Sequence, residues 1–343
     1  MKKSEWNISD RLVGEWQKMT KNKVSVIIPV YNGMKWIEEC LESVRTQSWS
    51  NFEIIVLDDH STDGTIEIVQ RMAEKDARIR LILRNDRGVS GARNEGIAQS
   101  DGEYITFLDA DDKLAPKMLE ILIGYLKEEN SDIISGGYYK LAENVPVKEE
   151  IKKEYEIKTV DREHYLSDYL LHQHTHCWGV IYKSSVLKNT AFREDLSIGE
   201  DMMFLMELLP KLSRVTITDY KGYYYRVNQG GATLRPFVPS YMDEIKSWQL
   251  ASEIIGQTYP RHVSQVEGIK AVSAMLVVGK IAQLSGRERK QYRDYITECR
   301  IVVKEALKVQ GAKENLPSGY GIKTKLFLKC PEIYLCLYHI WKK

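Results

Sequence analysis

The sequence predicts an α/β fold in which a mostly parallel central sheet is flanked by helices. Short runs of consecutive apolar residues recur along the first part of the chain, and such runs are typical of strands that are buried on both faces. Between them lie segments whose apolar residues recur at helical spacing. Strands and helices therefore alternate, which favours parallel strands joined by helical crossovers.

Five strands are predicted in this alternating part, each of them a run rich in β-branched or aromatic residues. They are 24–30 (VSVIIPV), 52–59 (FEIIVLDD), 78–83 (RIRLIL), 103–109 (EYITFLD) and 132–141 (DIISGGYYKL). Helices are predicted after the first, second and fourth strands, with apolar faces within 36–44, 66–73 and 118–126. A polar, glycine-rich loop, 84–96, follows the third strand and leads into a short helix.

The pattern changes at 142–158, a charge-rich stretch without a core face, which predicts a solvated excursion. The later elements are predicted as a helix at 161–172, a strand at 178–183, a turn and helix within 196–209, strands near 214–218 and 222–227, and helices from about 237 onward. We therefore expect a leader at 1–22 that forms a short helix, a main α/β domain at 23–235 and a helical C-terminal region at 236–343.

Composition excludes several classes of protein. The 343 residues can bury a large core, and the formal charge of +1 provides no basic field that would attract nucleic acid. The five cysteines are scattered without CxxC spacing, which argues against a disulfide framework or a structural zinc site and favours a reducing cytoplasm. The N-terminus lacks an apolar signal region and no stretch is long enough to span a bilayer, so we expect neither secretion nor a membrane span.

Acidic residues follow the second and fourth predicted strands. Asp58 and Asp59 end one strand, and Asp109, Asp111 and Asp112 end the other. Carboxylates this close repel each other and raise each other's pKa, so the second cluster predicts a bound cation. In a parallel α/β sheet, ligands bind at the carboxyl ends of the strands. Asp58 and Asp59 would each also suit the capping of the following turn.

The motifs together resemble a known family. The segments VSVIIPVYNGMKWIEECLESVRTQSWSNFEIIVLDDHSTDGT, GVSGARNEGI and YITFLDADDKL, in this order and at these separations, look like the N-terminal half of glycosyltransferase family 2. The resemblance covers 24 to about 230. It implies the GT-A type of nucleotide-sugar-binding fold and transfer of a sugar from a nucleoside diphosphate to an acceptor hydroxyl, with inversion at the anomeric carbon. It also implies a divalent cation, Mn²⁺ or Mg²⁺, which would stabilise the diphosphate leaving group.

The resemblance also implies roles for donor-site residues. Asp111 matches the metal ligand, and Asp109 faces the donor ribose or joins Asp111 at the metal. Asp112 supports either role or caps a helix starting near Ala115. The remaining donor-site positions are Pro29, Tyr31, Asp59, Arg93 and Ala110.

Three of these positions carry specific expectations. Asp59 would accept the N3–H of uracil, which favours a UDP-sugar, and Tyr31 would lie along the base. Arg93 contacts the base or a phosphate, or else is tied to Asp58 or Asp59 within the rim of the sheet.

The family places an acidic pair in the second half of the fold. Glu200 and Asp201 stand where a glycine turn enters an apolar helix, and the helix dipole holds a carboxylate there ionised. The resemblance implies that Asp201 is the base that takes the acceptor proton and that Glu200 positions the acceptor.

A histidine-rich segment precedes the predicted strand at 178. His172, His174 and His176 alternate, which would suit a metal site on a strand, but the segment joins a helix to a strand, and we favour a structural or acceptor-lining role. The resemblance implies that His176 and Trp178 line the acceptor cleft and that Arg226, next to a lid-like loop, reaches the diphosphate.

Other interpretations fit less well. A dehydrogenase would carry GxGxxG after the first strand, where the chain has YNGMKW, and a receiver-like signalling module would be about half this length. A sugar-nucleotide nucleotidyltransferase needs a basic glycine-rich loop there, and only Lys35 is present. The expected partners are a nucleotide-sugar donor and a glycan or lipid-linked acceptor of bacterial surface-polysaccharide synthesis.

The C-terminal segment 322–343 combines lysines with apolar and aromatic residues. It predicts either an interfacial contact with the inner face of a membrane or a final helix packed on the helical region, with its lysines in water.

Overall fold

The computed structural model describes residues 21–85, 88–141, 152, 154–172, 174–227 and 235–342. The chain forms two compact units. The first contains Met1–Arg162, His176–Phe192 and Pro210–Val227, and the second contains Glu163–Thr175, Arg193–Leu209 and Asn228–Lys343. The helical region predicted from 236 lies in the second unit, which also takes in two earlier segments. The predicted leader at 1–22 lies almost entirely outside the described residues.

A single mixed sheet organises the first unit. Its strands, in chain order, are β1 Val24–Val30, β2 Phe52–Asp58, β3 Ile79–Leu83, β4 Tyr104–Phe107, β5 Lys113–Leu114, β6 Ile133–Leu141, β7 Ile157–Val160, β8 Val180–Lys183 and β9 Val215–Arg226. The order across the sheet is β3-β2-β1-β4-β8-β6-β9-β5, with β7 also paired to β9. The α/β prediction and the five predicted strands of the first part are confirmed.

Parallel pairing is confined to two parts of the sheet. β3, β2, β1 and β4 are mutually parallel, and Val30 lies opposite Asp58, so the carboxyl ends of these strands share one edge. β8 runs antiparallel to both β4 and β6, whereas β6 and β9 are parallel to each other. β1 and β2 are buried along their whole length, as their uninterrupted apolar sequences require.

The prediction of two strands near 214–218 and 222–227 is wrong, because β9 is one strand of twelve residues. Its register against β6 shifts near Gly137, where Lys221 and Tyr223 face successive residues of β6. The extra residues of β9 at this point form a bulge, so the ladder between β6 and β9 continues. In the charged stretch 142–158, the last two residues belong to β7, which pairs with β9, whereas 142–151 and 153 lie outside the described residues.

Helices cover both faces of the parallel strands. They are α1 Ile37–Arg45, α2 Thr65–Ala73, α3 Val89–Ala98 and α4 Met118–Glu128. Apolar residues of α1, α2 and α4 share one core with β1 and β2. α3 packs closely because its Gly96 has no side chain, and a Cβ there would lie 3.2 Å from Leu57. The helices that the spacing predicted are thereby confirmed.

The second unit is built mainly of helices. They are α5 Arg162–Asp168, α6 Glu200–Leu208, α7 Met242–Thr258, α8 Val263–Gln283, α9 Gly286–Gln291, α10 Arg293–Ala306, α11 Tyr320–Lys329 and α12 Pro331–Lys342. α8 supplies much of the buried surface, with Ala271, Ala274, Val278 and Ile281 fully buried. α5 is shorter than predicted and is followed by a 3-10 turn at Leu170–His172. Within the described part of the chain, none of the helices has both the length and the apolar character to cross a bilayer.

Candidate active site

The loops that follow β1 and β2 are hydrogen-bonded to each other at the carboxyl edge of the sheet. The backbone N–H of Asn32 donates to Ser61 Oγ at 2.8 Å, and Thr62 N–H donates to Asn32 Oδ1 at 2.8 Å. Met34 N–H donates to Asp63 Oδ2 at 3.1 Å. These cross-ties hold the two strand ends together and leave Tyr31, which is 60% exposed, projecting from the first loop. Pro29 lies within β1, opposite Leu57.

Asp58 and Asp59 differ in what they do. Asp58 is buried, and its Oδ1 accepts a hydrogen bond of 2.9 Å from Ser61 N–H, so it caps the following turn. Asp59 instead accepts from Arg84 at 3.0 Å and from Gly88 N–H at 2.8 Å. The prediction that these residues cap the following turn therefore holds for Asp58 and not for Asp59.

Arg84 fixes the position of Asp59. Its side chain is 4% exposed, and it also donates to Gly88 O at 3.1 Å and to Glu95 Oε2 at 3.2 Å. A guanidinium suits this place because its planar donors can serve several acceptors at once. Arg84 was not among the residues predicted for the site. A basic residue directly after the third predicted strand, at the same edge as the acidic pair, was the available signal.

The turn formed by Asp109–Asp112, here called the DADD turn, lies at the end of β4. Asp112 N–H donates to Asp109 O at 3.0 Å, which closes the turn. Ala110 lies beside the loop after β1, since a Cβ on Gly33 would be 3.7 Å from that of Ala110. The DADD turn and the first loop are therefore neighbours, as their common sheet edge predicted.

Arg93 pairs with the DADD turn. It is 3% exposed, donates to Asp109 Oδ1 at 3.0 Å, and lies 5.2 Å from the ring centroid of Phe192. The alternative that Arg93 is tied to Asp58 or Asp59 is wrong, because α3 directs it toward β4 and Arg84 takes Asp59. A contact of Arg93 with base or phosphate stays a prediction.

Asp112 anchors the DADD turn to β9. It is 1% exposed and accepts from the Tyr223 hydroxyl at 2.6 Å and from Arg226 N–H at 2.6 Å. Burial and then the charge of Asp109 raise the pKa of Asp112 to about 8, although these hydrogen bonds act in the opposite direction. The expectation that Asp112 caps a helix near Ala115 is wrong, since α4 begins at Met118 without a side-chain cap.

The carboxylates of the DADD turn suit a hard divalent cation. Across the described parts of the chain, no three His, Cys, Asp or Glu side chains are grouped so as to hold a metal ion. Mg²⁺, however, is commonly bound by one or two protein carboxylates together with substrate phosphates. Asp111 and Asp109 are partly exposed, so their carboxylates are accessible to such an ion, and the metal role of both stays a prediction.

Arg226 joins the end of β9 to α1. Its Nε donates to Asp111 O at 2.7 Å, and its terminal nitrogen pairs with Glu39 at 2.7 Å. The guanidinium lies 3.8 Å from the ring centroid of Trp36. Burial alone would raise the pKa of Glu39, but Lys113 and Arg226 outweigh it and lower that pKa. Arg226 thus stands at the DADD turn, and its predicted reach to a diphosphate stays a prediction.

An aromatic cluster adjoins the DADD turn through Tyr223. The ring of Trp178 stacks on His176 at 3.9 Å, on Tyr223 at 4.4 Å and on Tyr225 at 5.4 Å, and Tyr138 meets it edge-on at 5.1 Å. His176 Nδ1 is also 2.9 Å from Trp178 O. His176 and Trp178 therefore lie in one stack beside the acidic turn.

The other two histidines belong to the second unit. His172 ends a 3-10 turn, and His174 N–H donates to Tyr169 O at 3.2 Å. The strand after them begins only at Val180, so the alternating positions do not share a strand face. A structural role thus fits His172 and His174 better than a zinc site.

Glu200 and Asp201 open α6 in the second unit. The residue before them, Gly199, has φ of 84°, which favours glycine, and a Cβ there would lie 2.7 Å from Ser247 Cβ. Both acids stand in the first turn of the helix and are partly exposed. The predicted turn and helix are confirmed, whereas the catalytic roles of the two acids stay predictions.

Comparison with known proteins agrees with this architecture. The family model described as glycosyl transferase family 2 matches residues 25–188. The uncharacterized glycosyltransferase EpsJ of Bacillus subtilis (strain 168) is 32% identical over 238 residues, which cover 67% of this chain and 68% of EpsJ. Glycosyltransferase GlyA of Streptococcus pneumoniae serotype 4 is 30% identical, and the match covers 62% of this chain but only 32% of GlyA.

The fold is shared with a solved structure. S. aureus TarS 1-349 in complex with UDP-GlcNAc superimposes with a TM-score of 0.71 at 22% identity, covering 93% of this chain and 91% of that one. The fold is therefore of the GT-A type. With the family match and the coverage of EpsJ, the chain belongs to glycosyltransferase family 2.

Proposed function

We propose that the protein transfers a sugar from a UDP-sugar to a hydroxyl group of a glycan or lipid-linked acceptor, with inversion at the anomeric carbon. The observation that carries the proposal is the meeting of Tyr31, Asp59 and the DADD turn at one edge of the sheet. The exposed ring of Tyr31 suits a nucleotide base, and the positioned carboxylate of Asp59 suits the polar edge of that base. The acids of the DADD turn suit a metal-bound diphosphate.

Asp59 would recognise the pyrimidine. Arg84 and Gly88 each occupy one of its oxygens, but a carboxylate oxygen has more than one acceptor site, so it can still receive an N3–H. Cytosine has no such donor, and a purine presents a different edge. TarS, which has the same fold, is complexed with UDP-GlcNAc, and this supports the choice of UDP.

Asp111, with Asp109, would hold Mn²⁺ or Mg²⁺ against the donor diphosphate. Such an ion, when bound, neutralises negative charge on the leaving group. Arg93 keeps Asp109 in place at 3.0 Å, and Arg226 holds the carbonyl of Asp111 at 2.7 Å. These contacts keep the turn in one conformation before the donor arrives, which lowers the cost of ordering it on binding.

Asp201 would act as the base. In the reaction, the acceptor oxygen forms a bond to the anomeric carbon, the bond from that carbon to the diphosphate oxygen breaks, and the acceptor proton passes to the carboxylate. It lies in the first turn of α6, where the helix dipole favours a negative charge. Glu200 would orient the acceptor.

In the aromatic cluster, His176 and Tyr225 are partly exposed and would contact the acceptor, while Trp178, which is buried between them, would hold both rings in place by stacking. We propose a lipid-linked glycan of bacterial surface-polysaccharide synthesis as the acceptor. An enzyme with such an acceptor would work at the inner face of a membrane.

The test is a screen of UDP-, GDP- and TDP-sugars with Mn²⁺ or Mg²⁺, read by thermal shift and by release of free nucleotide. UDP with a metal should stabilise the protein more than GDP does, and UDP should appear as product. Asp59→Asn should reduce the shift with UDP. Asp101→Asn is the matched control, since its side chain is 51% exposed and Asp101 has no role in the proposed site.

Two outcomes would contradict the proposal. Equal shifts with UDP and GDP would remove Asp59 as the residue that selects the base. Release of pyrophosphate from a sugar phosphate and a nucleoside triphosphate would instead identify a sugar-nucleotide nucleotidyltransferase.

A further inference from the structure

α11 and α12 form an antiparallel helical hairpin, here called the C-terminal hairpin. Near its turn, the rings of Phe327 and Tyr334 are 5.5 Å apart. At its open end, Lys323 Nζ lies 5.6 Å from the ring centroid of Trp341. The two helices are therefore in contact along their lengths.

The inner face of the C-terminal hairpin is packed on α8. Gly279 has room for Tyr338, whose hydroxyl would lie 2.7 Å from a Cβ at that position. His339 Nδ1 is 2.9 Å from Ala282 O, and Phe327 and Leu335 are buried. This packing determines which face of the hairpin points outward.

The outer face is apolar and exposed. Ile333, Leu337, Ile340 and Trp341 of α12 are exposed by 53%, 53%, 70% and 69%, and Ile322 of α11 by 77%. The residues on α12 follow helical spacing, so they form one stripe. Isolated exposed apolar residues are ordinary, but a stripe of this kind marks a surface that contacts something.

Lysines accompany the apolar stripe. Lys325 and Lys329 follow Ile322 on the exposed side of α11, and Lys323 lies beside Trp341. Glu332 is the sole acidic residue in the sequence of the hairpin. The surface therefore combines apolar side chains with a net positive charge.

We propose that the C-terminal hairpin docks on the surface of a bilayer that contains anionic phospholipids. The apolar stripe would enter the boundary between headgroups and acyl chains, while the lysines contact lipid phosphates. Tryptophan prefers this boundary, where its ring is buried and its N–H remains hydrated. The inference does not depend on the proposed transfer reaction.

Charge favours this partner over a second copy of the chain. A two-fold contact through this face would bring the lysine-bearing surface against itself, and within the sequence of the hairpin Glu332 is the one acid that could offset the repulsion. An anionic membrane satisfies both the lysines and the apolar stripe.

The test is flotation of the full chain with vesicles of phosphatidylcholine alone or with added phosphatidylglycerol, at low and high salt. The wild type should float with the anionic vesicles, less so at high salt. Lys325→Gln with Lys329→Gln should lower partitioning by roughly 25-fold, at about fivefold for each lysine. Leu337→Ser with Ile340→Ser should lower it by about 100-fold.

Leu83→Ser with Lys75→Gln is the matched control, because Leu83 is 58% exposed and Lys75 is exposed, and both lie in the first unit. It should float like the wild type. Circular dichroism melts establish that the hairpin variants are folded. The proposal is overturned if the wild type stays at the bottom of the gradient, or if folded hairpin variants float as it does.

Self-association provides a further criterion. If the wild type dimerises in light scattering and the hairpin variants do not, flotation is repeated at a dilution at which the wild type is monomeric. A wild type that no longer floats once it is monomeric would overturn the membrane contact in favour of a second copy. Release of UDP without vesicles is measured in parallel, so a wild-type chain that releases UDP but does not float counts against this surface alone.

Discussion

Replacing Arg84 with methionine should lower the free energy of unfolding by about 3 kcal/mol, the lower end of the usual cost of breaking a buried ion pair. The guanidinium is 4% exposed and lies 3.0 Å from Asp59, whose side chain is 16% exposed. Without it, the partner that remains for Asp59 among the described residues is Gly88, whose N–H donates to it at 2.8 Å. The pair with Glu95 adds little, because that carboxylate is 37% exposed.

Urea unfolding followed by tryptophan fluorescence measures the effect. Arg71→Met is the control, since Arg71 and Glu38 form a pair with side chains 50% and 62% exposed, and its loss should cost less than about 1 kcal/mol. Asp59→Asn combined with Arg84→Met should cost less than the sum of the two single changes by about 1 to 3 kcal/mol, because the uncompensated charge is then absent.

The same variants report on the donor site. Arg84→Met should weaken UDP binding in isothermal titration, since Asp59 is no longer held, and Arg84→Lys should not restore it, because an ammonium cannot serve all three acceptors in one plane. An Arg84→Met protein within about 1 kcal/mol of wild type, or a double variant whose cost is simply additive, would refute the assignment of Arg84 as the support of Asp59.

Three further outcomes are expected. Asp111→Asn should lower both UDP affinity in the presence of Mn²⁺ and turnover, because it removes a charge from the cation site; unchanged titrations with metal would exclude that role. Asp201→Asn should leave UDP binding intact and slow transfer by roughly 10² to 10⁴, and a near wild-type rate would move the base to Glu200. Glu53 is buried, and although burial raises its pKa, hydrogen bonds from Ser25 and Asp101 N–H and the charge of Lys23 outweigh this and lower it from its usual 4.5. A lowered folded-state pKa stabilises the protein above pH 4.5 and ceases to do so as pH falls through the folded value. The stability gap between wild type and Glu53→Gln should therefore close on acidification in urea titrations, whereas a constant gap would count against this linkage.

Local pattern sufficed for most of the architecture. Uninterrupted apolar runs predicted β1 and β2, and helical spacing predicted α1 and α4, because burial on both faces or on one stripe is already encoded in short stretches of sequence. The acids at the ends of β2 and β4 could be assigned to a common edge of the sheet, because parallel strands run in the same direction. The helical character of the C-terminal region also followed from its spacing.

The sequence by itself determined the alternation of strands and helices, the motifs at the strand ends and the family resemblance. Only the tertiary structure decided which charges meet. Arg93 pairs with Asp109, sixteen positions away, and Asp112 accepts from Arg226 N–H, 114 positions away. Such partners depend on the register of strands and on the direction in which a helix aims a side chain, and neither is written in the spacing of apolar residues. The bulge that lets β9 run as one strand was also decided by the tertiary structure, because it depends on the pairing of β9 with β6.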